Sequence, residues 1–526
     1  MDIEPQYPPS APIDIGARTL RGALVRGGLW NLAGKLTAVV AVLVATPFTV
    51  RLLGPVSYGA WSLLQYTVAY LVLSDLGMSA ASTKLAGDRH AAGDARGEAA
   101  VVCTAAAMTG LATFAAAMGL SIAAPLLAKN LLQIPASLQG PMVAAIRVAA
   151  LATVLRSISG TLNTPQMVRL RWGWVTLAAS GSLVLQAIGG PIVLASIGNG
   201  LVGLSEVLAA VAVFAVVINT VGAVRLQPAL RRPRVDRYLC GPLLRYGGAL
   251  AVSGLAALPL TNAERFFLAH FHGTVPVAHY AVAAALANVM LFLPLAITEP
   301  LFPALVRLNA GRSVAEASRL HHQALQGMVL LMTPVALLFG MVAGPFLAIW
   351  AGPEYSREST LPFLILLLGF WFNALASIPY SRLLASGRTA SIAKVHLAEL
   401  VPYLALAAAL TSVAGAIGAA MAFTARVIAD SIFFFIAASR DSSPFRLPLP
   451  ERRARWTATT TSLLLAVIAS SSAVSSLFLR LGLAAALGTV YSVVIWMSVL
   501  TSGERNGIHG LALELAGGLR APGEGQ

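Results

Sequence analysis

Along this chain, apolar runs of about 20 residues alternate with short polar connections, and each run is long enough to cross a hydrocarbon core about 30 Å thick. The pattern predicts fourteen membrane-spanning helices, near residues 29–50, 58–81, 99–128, 141–163, 173–195, 201–224, 243–271, 277–306, 324–351, 361–386, 390–411, 414–439, 456–479 and 481–502. The polar positions between them are unevenly charged. With alternate connections counted as one side, the N-terminus, the even-numbered connections and the C-terminus carry 27 of the 36 Lys and Arg. The odd-numbered connections carry four, Arg51, Lys129, Arg357 and Arg480. Five more lie at membrane depth: Lys35, Arg147, Arg156, Arg265 and Arg426. The positive-inside rule then places both termini in the cytoplasm. Merging or splitting one span would scramble this separation, so charge supports the count that hydropathy suggests.

Composition changes the picture little. Hydrophobic residues make up 57% and charged residues 11%, and the net charge is +15. In a soluble chain that charge would suggest nucleic acid. Here it sits in short loops, such as Arg225, Arg231, Arg232, Arg234 and Arg237, where it sets topology and attracts anionic lipid heads. No nucleic-acid partner is expected. The first apolar run is too long for the core of a signal peptide and is expected to remain as a helix. Cys103 and Cys240 are the only cysteines, too few for a disulfide framework, and both are expected to be free thiols. The outer connections are all short, which leaves no room for the sizeable outer domain that membrane glycosyltransferases and polymerases use. Function is therefore expected between the helices, without catalysis and without a cofactor.

The chain also reads as a repeat. Phe48-Thr49-Val50-Arg51-Leu52-Leu53-Gly54, followed by Tyr58-Gly59, is matched by Phe267 to Gly273 followed by Tyr280. Asp75-Leu76-Gly77 and the loop His90 to Arg96 are matched by Glu299-Pro300 and Asn309 to Glu316. Gly198 to Gly203 is matched by Gly415-Ala416-Ile417-Gly418, all at offsets between about 215 and 224 residues. Six helices per repeat give both copies the same orientation, related by an axis along the membrane normal. The expected organisation is a cytoplasmic tail (1–28), an N-lobe of helices 1–6 (29–224) and a basic linker (225–242). A C-lobe of helices 7–12 (243–439), a loop (440–455), helices 13–14 (456–502) and a C-terminal tail (503–526) follow.

Arg51-Leu52-Leu53-Gly54-Pro55-Val56-Ser57-Tyr58-Gly59 resembles the Arg-x-Leu-Gly-x-x-x-Tyr-Gly signature after the first helix of bacterial polysaccharide-lipid exporters. These are the O-antigen and exopolysaccharide flippases of the multidrug/oligosaccharidyl-lipid/polysaccharide exporter superfamily. Asp75-Leu76-Gly77, Leu384 to Arg388 and Gly415 to Ala420 are similar to further stretches of that family. The second copy of the signature departs from the pattern, because Gly273 to Tyr280 is longer than Gly54 to Tyr58. The resemblance implies two six-helix lobes in pseudo-twofold arrangement around a central cavity. It also implies transport of an undecaprenyl-diphosphate-linked oligosaccharide from the inner to the outer leaflet of the bacterial plasma membrane. Polysaccharide polymerase and glycosyltransferases would be neighbours in that process.

Charged side chains at membrane depth are costly and mark cavities or partners. A diphosphate needs cationic donors, and the planar fork of Arg suits it best. Arg265 sits in the most polar deep patch, with Thr261, Asn262 and Glu264. Arg265, Asn262, Arg147 and Lys35 are the expected substrate-binding residues. Lys35 could instead snorkel to the interface. Arg147 and Arg156 are nine residues apart, on opposite faces of one helix, and Arg147 is preferred for the cavity. Glu264 and Glu399 are the expected coupling carboxylates, and Asp75 is placed at the cytoplasmic gate as a cap or pairing group. Arg426 and Asp430, four apart, are expected to pair. His270, His272 and His279 gather at the outer surface without acidic or Cys ligands, so no metal site is expected. A cation-coupled multidrug or metabolite antiporter of the same superfamily is the alternative function, since buried acids and bases are nearly balanced.

Overall fold

The computed structural model describes residues 17–310, 313–439 and 477–498, and every element among them is helical. Residues 1–16, the predicted loop 440–455, most of the thirteenth span, the last four residues of the fourteenth and the whole predicted C-terminal tail lie outside the described residues. The helices are α1 (Ala17–Ala69), α2 (Met78–Ala91), α3 (Ala95–Leu126), α4 (Ala136–Leu162), α5 (Thr164–Val168), α6 (Trp172–Ser196) and α7 (Gly200–Leu226). They continue with α8 (Cys240–His272), α9 (Thr274–Ala287), α10 (Phe292–Ala310), α11 (Val314–Trp350), α12 (Pro353–Ala385), α13 (Thr389–Ser439) and α14 (Leu477–Ser498). Nine helical segments among the described residues are long and apolar enough to cross a membrane. Large apolar side chains stay exposed in stripes three to four residues apart, Leu36, Val40, Val44 and Phe48 on α1 and Leu111, Phe114, Met118 and Ile122 on α3. Such stripes suit lipid contact and not water. The chain is an all-α, multi-pass membrane protein, and a total of fourteen spans is compatible with it.

Two helices run through predicted connections. α1 joins the first two spans and bends only at Gly54 (φ 71°), and α13 joins the eleventh and twelfth and bends at Gly415 (φ 54°). A turn of one glycine suffices because each neighbouring helix keeps its own hydrogen bonds. Local conformations recur at the spacing read from the sequence. Gly54 (φ 71°) is matched by Gly273 (φ 76°), and Gly200 (φ 51°) by Gly415 (φ 54°). The 3₁₀ turn Tyr70–Asp75 is matched by Asn288–Leu291.

The described residues gather into two compact units. The first takes residues up to Leu286 together with Trp350–Pro362 and Ala393–Phe423, and the second takes Ala287–Ile349, Phe363–Ile392 and the rest. In the first unit, α4 packs on α7 and α3, and α6 packs on α1 and α7. Its core is built largely from small side chains, as in the cluster of Met78, Ala81, Ala86, Val101, Val102, Ala105 and Leu243. Without a hydrophobic drive in lipid, close approach and buried hydrogen bonds hold such helices together. Thr164 donates to Ser82 at 3.0 Å and Gln166 to the Asn219 carbonyl at 2.8 Å. The second unit uses the same device. Trp371 donates to Thr333 at 3.1 Å, Thr424 to the Ile365 carbonyl at 2.8 Å, and Tyr491 of α14 to the Val329 carbonyl at 3.2 Å.

Candidate functional site

The polar patch of α8 lies just after Pro259, which removes one helix hydrogen bond. Glu264 and Arg265 are both buried there, at 0% and 4% exposure. Arg265 Nε lies 3.7 Å from Glu264 Oε1, and Arg265 Nη1 donates to Asn262 Oδ1 at 3.2 Å. The Asn262 amide in turn donates to Thr261 at 2.9 Å. Glu264 is held from two other helices. Tyr280 of α9 donates to its Oε1 at 2.9 Å, and Tyr403 of α13 donates to its Oε2 at 2.5 Å. The guanidinium stacks over the Tyr66 ring of α1, 3.7 Å from the centroid, and lies 5.3 Å from the Tyr280 centroid. Two O–H donors and a cation are the partners an ionised carboxylate accepts. Stacking on aromatic faces keeps a cation in an apolar setting. Arg265 Nε has no hydrogen-bond partner among the described residues, so the guanidinium retains capacity for another acceptor.

The signature glycines position this cluster. A Cβ on Gly59 would stand 1.9 Å from the Thr274 carbonyl oxygen, so α1 meets the start of α9 backbone to backbone. At the other end, Gly77 (φ 68°) and Gly247 press together, with a Cβ on Gly77 only 2.3 Å from the Gly247 carbonyl oxygen. Arg51 donates to the Trp350 carbonyl at 3.3 Å, and Trp350 Nε1 donates to the Leu43 carbonyl at 2.9 Å. Residues of both sequence repeats thus meet within the first unit.

Of the residues expected from sequence, Arg265, Asn262 and Glu264 come together. Glu399 is buried on α13, one turn before Tyr403 and on the same helix face. Lys35 is half-buried on α1. Asp75 accepts from the Met78 amide at 2.7 Å and so caps α2. Arg147 is exposed, its Nε 3.5 Å from the Ser121 carbonyl. Arg156, also exposed, borders a cavity of about 290 Å³ between α4, α6 and α7. The three clustered histidines of the sequence separate. His272 lies 2.8 Å from the Thr411 carbonyl, His279 lies 3.2 Å from Glu354, and His270 packs edge-on against Phe271.

Three features escaped the sequence. Tyr66 and Tyr403 complete the cluster, and their only signals are helical spacings, eight residues after Tyr58 and four after Glu399. A further buried carboxylate, Glu98 at 1% exposure, receives both terminal nitrogens of Arg169, with Nη2 to Oε2 at 3.0 Å, and the Gln227 amide at 2.7 Å. His90 Nδ1 lies 3.3 Å from the same carboxylate. Its sequence signal was Asp94, whose side chain caps α3 through the Gly97 amide at 2.8 Å and so sets Glu98 in the first turn. The Arg156 cavity is the third.

The fold is shared with known transporters. The lipid II flippase MurJ in an inward closed conformation superposes with a TM-score of 0.64 over 85% of this chain and 98% of MurJ, at 10% identity. An inward-facing multidrug resistance MATE family transporter gives 0.60 over 80% of this chain and 95% of its own, at 16% identity. The Vibrio cholerae MATE transporter VcmN gives 0.58 over 80% and 97%, also at 16%. A Shigella flexneri protein named as an O-antigen transporter is 35% identical over 190 residues, 36% of this chain and 45% of that protein. The chain thus matches less than half the length of that curated relative. The family of polysaccharide biosynthesis proteins matches residues 48–360, more than half the chain, from the Arg51 signature through the buried Glu264–Arg265 pair to Tyr280 and Glu354. This chain belongs to that polysaccharide biosynthesis protein family.

Proposed function

We propose that this protein is a flippase. It moves an oligosaccharide linked to undecaprenyl diphosphate from the inner to the outer leaflet of the bacterial plasma membrane by alternating access, for surface polysaccharide biosynthesis. It is a carrier and not an enzyme, with both termini cytoplasmic. The observation that carries this proposal is the buried Glu264–Arg265 pair, surrounded by aromatic side chains from both sequence repeats. A lone guanidinium in the membrane interior needs a partner. In the present conformation Glu264 provides it at 3.7 Å, too far for a hydrogen bond. A diphosphate offers closer oxygens in the bidentate arrangement that Arg prefers. Tyr280 and Tyr403 keep hold of Glu264, so cargo can take the guanidinium without stranding the carboxylate. The family and the shared fold support transport, and the Shigella relative supports a lipid-linked saccharide as the cargo class.

The cargo headgroup carries about two negative charges and leaves a negative interior, downhill by roughly 5 kcal/mol at 100 mV. Membrane potential can therefore bias export. Proton antiport through Glu264 or Glu399 is the alternative coupling. In cells, deletion followed by leaflet-resolved glycolipid analysis tests the function. The lipid-linked oligosaccharide should accumulate in the inner leaflet while surface polysaccharide falls. An unchanged leaflet distribution would reject the proposal.

A further inference from the structure

The first unit holds a second polar site that the transport proposal does not use. The cavity of about 290 Å³ is lined by Arg156 and Ser159 of α4, Asn163 just after it, Ser182 and Gln186 of α6, and Asn219 of α7. Steps of three and four residues put each set on one helix face, and three such faces converge. The rest of the lining is aliphatic, apart from one glycine, and no carboxylate lines the cavity. Arg156 is exposed, has no ion-pair partner among the described residues, and lies six residues before the end of α4, about 9 Å along the helix axis. In a membrane-spanning helix an unpaired guanidinium is stabilised by an anionic group that meets it.

The neighbouring groups supply donors, and the Asn163 and Asn219 Oδ1 atoms, buried without a hydrogen-bond partner among the described residues, supply acceptors that a phosphate hydroxyl can meet. Asn219 is 3% exposed and spends its amide nitrogen on Ser159, at 2.9 Å to Oγ and 3.1 Å to the carbonyl. Ser159 Oγ is thereby an acceptor, which leaves its own O–H to donate. Gln186 adds an amide. One fixed positive charge with hydroxyl and amide donors is the chemistry that receives a tetrahedral oxyanion. The volume is near the lower limit for small-molecule pockets, about 300 Å³, so it fits a headgroup and not an oligosaccharide.

We propose that this cavity binds a phosphate group, supplied either as inorganic phosphate or as the head of an anionic phospholipid. The site is separate from Arg265 and does not depend on what the protein transports.

The full-length protein in detergent tests it with two probes, phosphatidylglycerol retention by native mass spectrometry, with phosphatidylcholine as reference, and thermal stabilisation by inorganic phosphate at constant ionic strength. The wild type should respond to at least one probe. Arg156→Ala should weaken that response by about tenfold or more, as expected for losing a charge-assisted hydrogen bond. Arg156→Lys should restore part of it, because the charge remains and the fork is lost. Gln186→Leu, which leaves the charge in place, should weaken it less, and Arg171→Ala, outside the cavity, should leave it unchanged. Retention of phosphatidylglycerol without a phosphate response identifies a phospholipid, and the reverse identifies free phosphate. Response to neither probe, or an equal response in Arg156→Ala, would overturn the proposal. If Arg156→Ala does not fold, unchanged binding in both Arg156→Lys and Gln186→Leu would overturn it.

Discussion

Arg265 differs from the other deep basic side chains in its surroundings, a carboxylate, an amide and two tyrosine rings within one cluster. The polar members of that cluster were legible in the sequence, because Asn262, Glu264 and Arg265 stand out in an apolar window. The tyrosines were not. A tyrosine in a membrane helix fits an apolar pattern, and which of the 11 reach one carboxylate is decided by helix packing. Arg147 and Arg156 lie nine residues apart on α4 and both are exposed, and only packing shows that Arg156 borders a cavity. Tyr403→Phe removes one of two hydroxyl donors to buried Glu264. A hydrogen bond to a charged group contributes about 1.5–3 kcal/mol, so the unfolding free energy in detergent should fall by about that much. No change in the unfolding midpoint would mean that Tyr403 does not support Glu264.

At the scale of elements, the helices hold their places by contacts that hydropathy cannot express. The Tyr58-Gly59 and Asp75-Leu76-Gly77 motifs carry the repeat and the family resemblance, and both glycines also mark backbone contact between α1 or its following turn and a later helix. Gly59→Leu forces a side chain toward the Thr274 carbonyl oxygen, with its Cβ at 1.9 Å before any shift. Backbone cannot yield as a side chain does, so the loss should be at least about 3 kcal/mol, seen as a large drop in folded yield on size-exclusion chromatography. Glu98 joins α3 to Arg169, just after α5, and to Gln227, just after α7. Glu98→Ala leaves Arg169, 19% exposed, without its carboxylate, at a cost of about 3 kcal/mol. Chemical unfolding should show that loss, and the double substitution Glu98→Ala with Arg169→Met should recover part of it. Absence of any recovery would mean that the two side chains act independently. The repeat, by contrast, was readable at this scale, because positive-φ glycines recur where the sequence matched.

For the whole molecule, the all-helical, multi-pass class followed from apolar length alone. Which helices gather into which compact unit did not, since Trp350–Pro362 and Ala393–Phe423 join the first unit through contacts far apart in sequence. Function at this scale depends on charge movement. With equal pH on both sides, an imposed inside-negative potential of 100 mV should speed outward movement of a dianionic headgroup, for which roughly 5 kcal/mol is available. A rate that follows only a pH gradient would shift the coupling to Glu264 or Glu399. The most direct measurement uses vesicles carrying the purified protein and an undecaprenyl-diphosphate oligosaccharide placed in one leaflet, with its appearance in the other followed over time. Wild-type protein should transfer the lipid well above protein-free vesicles. Arg265→Ala should fall to near the protein-free rate at equal reconstitution, and Arg265→Lys should lie between. Transfer no faster than in protein-free vesicles, or equal in wild type and Arg265→Ala, would contradict a flippase that grips its cargo through Arg265.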